Sequence, residues 1–116
     1  MKTLKIILLA ATTLLFSNCS KSQNVSTVPV TEFETKLKAT ESAQLIDVRT
    51  PGEFSEGALA NAKNIDWNGE NFETEAAKLD KSKPVFVYCL AGGRSKKAAN
   101  KLHEMGFTQV YDMEGG

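Results

Sequence analysis

Polar and apolar positions are distributed very differently along the two parts of this chain. After Met1, Lys2 and Lys5, residues Ile6 to Phe16 are apolar except for Thr12 and Thr13. A basic start followed by a short apolar core has the shape of a secretory signal, here over residues 1–18. Its eleven apolar-run residues, at ~1.5 Å of helix each, reach about half of a ~30 Å hydrocarbon core, so a retained spanning helix is the weaker alternative. A buried core helix fits less well again, because the run has no polar face.

From residue 31 the pattern becomes periodic. Thr31 stands three residues before Glu34, a capping-box spacing, and Phe33 with Leu37 suits a short amphipathic helix. Gln44–Val48 reads as a buried strand. Thr50, Pro51 and Glu53 then start a second helix, with Thr50 as its cap, Pro51 at its first position and Glu53 as a first-turn carboxylate. Asn64–Asp66 is a weak strand, and Glu70–Leu79 a helix with Phe72, Ala76 and Leu79 on one face. Val85–Tyr88, β-branched and aromatic throughout, is the strongest strand and runs directly into Cys89. Leu90–Ser95 is a glycine-containing turn. Lys96–Met105 follows as a helix with Ala98, Ala99, Leu102 and Met105 inward and Gly106 at its stop, and Gln109–Tyr111 is a last strand. Strands alternating with helices predict the α/β class, a small parallel sheet flanked by helices.

Length and charge narrow this picture. The 116 residues hold one hydrophobic core and hence one domain. Charge is balanced at 14 Lys+Arg against 14 Asp+Glu, and removing residues 1–18 takes away only Lys2 and Lys5, leaving 12 against 14. A slightly acidic mature chain whose basic residues lack interleaved aromatics gives no reason to expect nucleic acid as a partner. His103 is the only histidine and is placed on the exposed side of the last helix, so neither a Cys-His dyad nor a metal site is expected.

The two cysteines separate into different roles. Leu14-Leu15-Phe16-Ser17-Asn18-Cys19 resembles the lipobox of bacterial lipoproteins, although Asn18 stands where a small residue is usual. The resemblance implies acylation of Cys19, a polar tether over 19–30, and a domain over 31–116, held by lipid on the periplasmic side of a bacterial membrane. Cys89 is then the lone thiol, with a Cys19–Cys89 disulfide as the alternative if Cys19 is not acylated.

Strand, Cys, glycine turn and helix in that order carry chemical meaning. Ligands of open α/β sheets bind beyond the carboxyl ends of the strands, where Cys89 falls. A helix start has backbone N–H groups without intrahelical partners, and Gly92 and Gly93 can aim them at one atom. Such a cradle favours a thiolate over a thiol, and Arg94 adds a cation able to bind an oxyanionic substrate. Asp47 and Arg49, at the end of the neighbouring strand, suit a supporting ion pair.

Cys89-Leu90-Ala91-Gly92-Gly93-Arg94-Ser95 resembles the Cys-x-x-Gly-x-Arg-Ser loop of rhodanese-like domains. Leu45-Ile46-Asp47-Val48-Arg49 with Glu53-Phe54, Gly57-Ala58-Leu59 and Ala62-Lys63-Asn64-Ile65 is similar to the family's upstream motif, and Val110–Gly116 to its strand leading to a Gly-Gly. Ala58 stands where the family commonly has His, and Leu90-Ala91 replaces a more polar pair. Such domains continue through a Trp-containing segment and a last helix that this chain, ending at Gly116, lacks. The resemblance implies a sulfurtransferase in which Cys89 takes sulfur from thiosulfate or a persulfide and passes it to a thiol or thioredoxin-like acceptor, with Leu90, Ala91, Gly92, Gly93, Arg94 and Ser95 binding substrate. It implies no metal and no organic cofactor. Cysteine phosphatases share the cradle but place the Arg one position further from the Cys. The shorter loop here suits a single sulfur atom. A redox-sensing or docking module is the remaining alternative.

Overall fold

Val85–Tyr88 is buried from end to end, and the domain is built outward from it. The structure is a computed structural model that describes residues 25–116. The signal read over residues 1–18, the proposed lipid attachment at Cys19 and the tether as far as residue 24 lie outside the described residues. In chain order the elements are β1 (Val25–Val28), α1 (Val30–Ala39), β2 (Gln44–Asp47), α2 (Pro51–Ser55), β3 (Lys63–Asn64), α3 (Phe72–Ala76), β4 (Val85–Tyr88), α4 (Gly93–Glu104) and β5 (Val110–Met113). All pairings are parallel, and the strand order is β1-β5-β4-β2-β3. The predicted α/β class and small parallel sheet are what is observed.

Alternation along β4 divides the core in two. Val85, Val87 and Cys89 face the larger cluster, where Ala98, Ala99 and Leu102 of α4 and Phe72 and Ala76 of α3 cover the sheet. Phe86 and Tyr88 face the smaller one, closed by Phe33 of α1 with Leu37 beside it. Phe86 meets Phe33 edge-on at 5.5 Å and stacks on Tyr111 at 5.0 Å. Truncating so enclosed a ring costs about 3–5 kcal/mol.

Several boundaries differ from the sequence reading. Val25–Val28, assigned there to the tether, pairs with β5 from Val25↔Val110 to Val28↔Met113 as the edge of the sheet. The Thr31/Glu34 capping box does not form. Pro29, extended at φ −61° and ψ 159°, precedes the helix, which starts at Val30 with no side-chain cap, so Thr31 falls inside the first turn. β3 occupies Lys63–Asn64 rather than residues 64–66, and β5 runs on to Met113. α3 is shorter than residues 70–79. The most consequential difference is that α4 begins at Gly93 rather than Lys96, which makes Arg94 and Ser95 first-turn helical residues.

Candidate functional site

Cys89 directly follows β4 at the carboxyl edge of the sheet and is 3% exposed. Gly92 takes φ +96°, a left-handed conformation open to glycine at little cost, and this turns the chain back so that its N–H donates to Cys89 Sγ at 3.0 Å. The N–H of Ser95 donates to the same sulfur at 3.3 Å. A Cβ on Gly92 would lie 3.2 Å from the Gly115 backbone nitrogen, so the loop and the C-terminal turn approach closely there. Gly93 has no such constraint, since a Cβ there meets open space.

The sulfur is therefore a helix cap. Burial pushes the Cys89 thiol up, but the Ser95 side chain and the N–H groups of Ser95, Gly92 and Ala91 together outweigh it and hold the thiol below its ordinary value. The Ser95 hydroxyl donates to the Gly92 carbonyl at 3.2 Å while lying within reach of the sulfur and of Asp112. Its single proton serves one acceptor at a time, and turned to sulfur it favours the thiolate. Burial holds the Asp112 carboxyl above its usual range; Thr27 Oγ1 donates to its Oδ2 at 3.0 Å, and Oδ1 has no partner.

Two ion pairs flank the cysteine. Asp47 is fully buried, and burial opposes its ionisation, but the Arg49 guanidinium and the Arg49 N–H hold its carboxyl below the usual carboxylate range. Arg49 Nη2 reaches Asp47 Oδ2 at 2.6 Å and also donates to the Gly57 carbonyl at 2.6 Å. Asn64 Nδ2 donates to the carbonyls of Asp47 and Arg49, fixing the chain that carries the pair. Opposite, Arg94 Nη1 and Nη2 grip the two oxygens of Glu53 at 2.8 and 3.1 Å. Arg94 and the N–H and hydroxyl of Thr50 hold the Glu53 carboxyl down at about 2. The arginine read as an oxyanion-binding cation thus spends its fork on a carboxylate of this chain.

The cleft outside Cys89 has a volume of about 450 Å³ and is walled by Tyr88, Ala58, Leu59, Leu90, Val30 and Met113, with Arg49 at one side. Tyr88 shapes that wall, since its hydroxyl accepts from the Leu59 N–H at 3.0 Å and pins the 57–59 loop. Residues 30–116 match the family described as Rhodanese-like domain. The chain belongs to the rhodanese-like family.

Its relatives agree. The Bacillus subtilis protein YqhL is 40% identical over 74 residues, which is 64% of this chain and 57% of that protein. Thiosulfate sulfurtransferase GlpE of Shewanella oneidensis is 33% identical over 81 residues, 70% of this chain and 78% of that protein. Among solved structures, a rhodanese-like domain protein from Staphylococcus aureus superposes with a TM-score of 0.69 at 27% identity, covering 78% of this chain and 86% of that one.

Within this rhodanese-like site the structure brings together Cys89, Gly92, Arg94, Ser95, Asp47 and Arg49 at the carboxyl ends of the paired strands β2 and β4. Leu90 and Ala91 are exposed at the rim, and Gly93 opens the helix. His103 lies in the last turn of α4, half-buried rather than exposed. Tyr88, Asn64 and the Arg94-binding role of Glu53 were not assigned from sequence. A buried-strand tyrosine next to the nucleophile was a usable signal for the first. Asn64 sits in the upstream motif, but Glu53 and Arg94 are 41 residues apart and carry no local signal of contact.

Proposed function

We propose that this protein is a sulfurtransferase that moves a sulfane sulfur through a persulfide on Cys89, with thiosulfate or a persulfide as donor and a thiol as acceptor. The observation that supports it best is the sulfur of Cys89 receiving two backbone N–H groups at a helix start, at the base of an open cleft. The thiolate attacks the outer sulfur of the donor. With thiosulfate, the new Sγ–S bond forms as the donor's S–S bond breaks, and sulfite leaves with the bonding pair. An acceptor thiolate then attacks the outer sulfur of the Cys89 persulfide and restores the Cys89 thiolate. Proton movement is small, so the site needs hydrogen-bond donors more than an acid or base. The Gly92 and Ser95 N–H groups supply them for the thiolate and for the persulfide that replaces it. Asp47 with Arg49, and Glu53 with Arg94, act as positioning pairs that hold the strand end and the helix start together.

Intact-mass measurement before and after thiosulfate or a persulfide donor tests this. A gain of one sulfur on Cys89, reversed by cyanide or a thiol, is expected. A folded protein that takes up no sulfur from any donor removes the catalytic reading and leaves a docking or redox-sensing domain. For location, the proposal is a lipid anchor at Cys19 on the periplasmic side of a bacterial membrane. Cys19→Ser should release the protein from the membrane fraction or block processing; unchanged attachment with an intact Met1 segment would favour a retained helix instead.

A further inference from the structure

We propose that the donor used by this site is a persulfide on an uncharged, apolar carrier rather than the thiosulfate dianion; the inference rests on the sulfurtransferase reading above. Thiosulfate brings two negative charges to an attacking thiolate, and the three charges together need cations. Both guanidiniums near Cys89 are already paired. Arg49 is held by Asp47 and the Gly57 carbonyl, and Arg94 is held at its two terminal nitrogens by Glu53, so each pair contributes no net charge. Lys96, the next cation along the loop, lines a separate cleft with Asp112 and Glu114.

The walls point the same way. Among the described residues the exposed large hydrophobic side chains are Val30 at 51%, Leu59 at 42% and Leu90 at 64%, and all three border the Cys89 cleft. They come from α1, the 57–59 loop and the cysteine loop, three separate parts of the chain that together line this cleft. Apolar surface gathered around a recessed sulfur is complementary to an apolar carrier more than to a hydrated sulfonate. The step balances without a further reactant. The Cys89 thiolate attacks the outer sulfur of R–S–SH, the Sγ–S bond forms, the donor's S–S bond breaks, and R–S⁻ leaves with the electron pair while the proton stays on the transferred sulfur.

The test follows the rate of sulfur gain on Cys89 in the full-length protein by intact mass, using thiosulfate, glutathione persulfide as an anionic carrier, and benzyl persulfide as a neutral apolar one. Benzyl persulfide should load Cys89 at least about tenfold faster than glutathione persulfide, the low end of discrimination by an apolar pocket. Thiosulfate should be the slowest. Leu59→Lys places a cation on an exposed wall position and should move the thiosulfate-to-benzyl persulfide ratio about tenfold toward thiosulfate. Glu53→Gln, which keeps a cap-competent side chain while freeing the Arg94 charge, should move it the same way. Thiosulfate loading as fast as benzyl persulfide, equal rates for the two persulfides, or a ratio unmoved in both variants would overturn the inference while leaving sulfur transfer intact. Failure of all three donors on folded protein would instead overturn sulfur transfer itself, and this inference with it.

Discussion

Two helices begin side by side at the carboxyl ends of two paired strands, and they complete their first turns in different ways. β2 and β4 run in register from Gln44↔Val85 to Asp47↔Tyr88. After β2, α2 is closed by its own side chains: Thr50 Oγ1 accepts from the Glu53 N–H, and Glu53 Oε1 accepts from the Thr50 N–H at 2.9 Å. After β4, α4 has glycine at the cap position and no side-chain cap, and its free N–H groups turn to Cys89 Sγ. A hydroxyl cap is chemically inert, whereas a sulfur cap is a nucleophile that the same donors make more acidic. The lesson is that one start is closed with residues of its own that stabilise it, and the other is left for the sulfur of Cys89 to fill. The Glu53–Arg94 bridge ties the first to the second.

Substitutions can break each half of this contrast. The largest effect is expected for Cys89→Ser, which should abolish sulfur uptake in the intact-mass assay, because an alcohol is far less acidic and cannot carry the transferred sulfur. Gly92→Ala comes next. It forces a Cβ into a left-handed position at a cost of about 1–2 kcal/mol and presses on Gly115, so urea unfolding should shift and Cys89 alkylation slow. Gly93→Ala, one residue on, should leave alkylation unchanged and raise stability by about 0.4–1 kcal/mol, because the added methyl meets open space at an ordinary backbone conformation.

Thr50→Ala opens the α2 cap and should cost about 1 kcal/mol in unfolding free energy without raising the pH at which Cys89 reacts. The subtlest effect is in pH. Since the folded state lowers the Cys89 thiol, iodoacetamide labelling of the Cys89 peptide should reach half its maximal rate at a lower pH than in the unfolded chain, and Ser95→Ala should move that midpoint upward. By linkage, the thiolate's contribution to stability is full above the unfolded thiol's value and is lost as pH falls through the folded one. The gap in urea midpoint between the native chain and Cys89→Ser should therefore widen as pH rises.

Locally coded features were legible in the sequence. The β4 run, the Thr50-Pro51 helix start and the position of Cys89 directly after β4 each depend on neighbours in the chain, and each is where the residue pattern placed it. What escaped depends on partners far away. Val25–Val28 is four residues whose strand character comes from pairing with β5, so a reading along the chain leaves it in a linker. Arg94 carries the same charge in the sequence whether it faces a substrate or Glu53, and only the approach of α2 to α4 decides between them. The start of α4 escaped for a related reason: two glycines argue against a helix by propensity, yet Gly92 provides the turn and Gly93 the first helical residue.

The edge strand β1 also sets a leash and an aim. If Cys19 is the point of attachment, the residues from it to Asn24 number six, and even fully extended they span only about 20 Å. All strands run in one direction, so the chain enters the sheet at the amino end of β1 while Cys89 sits at the carboxyl end of β4. Under the proposed anchor, a domain held this closely by that end would turn its cysteine outward. The apolar rim of Val30, Leu59 and Leu90 would then face dissolved carriers rather than the lipid, and sulfur would arrive from the aqueous side.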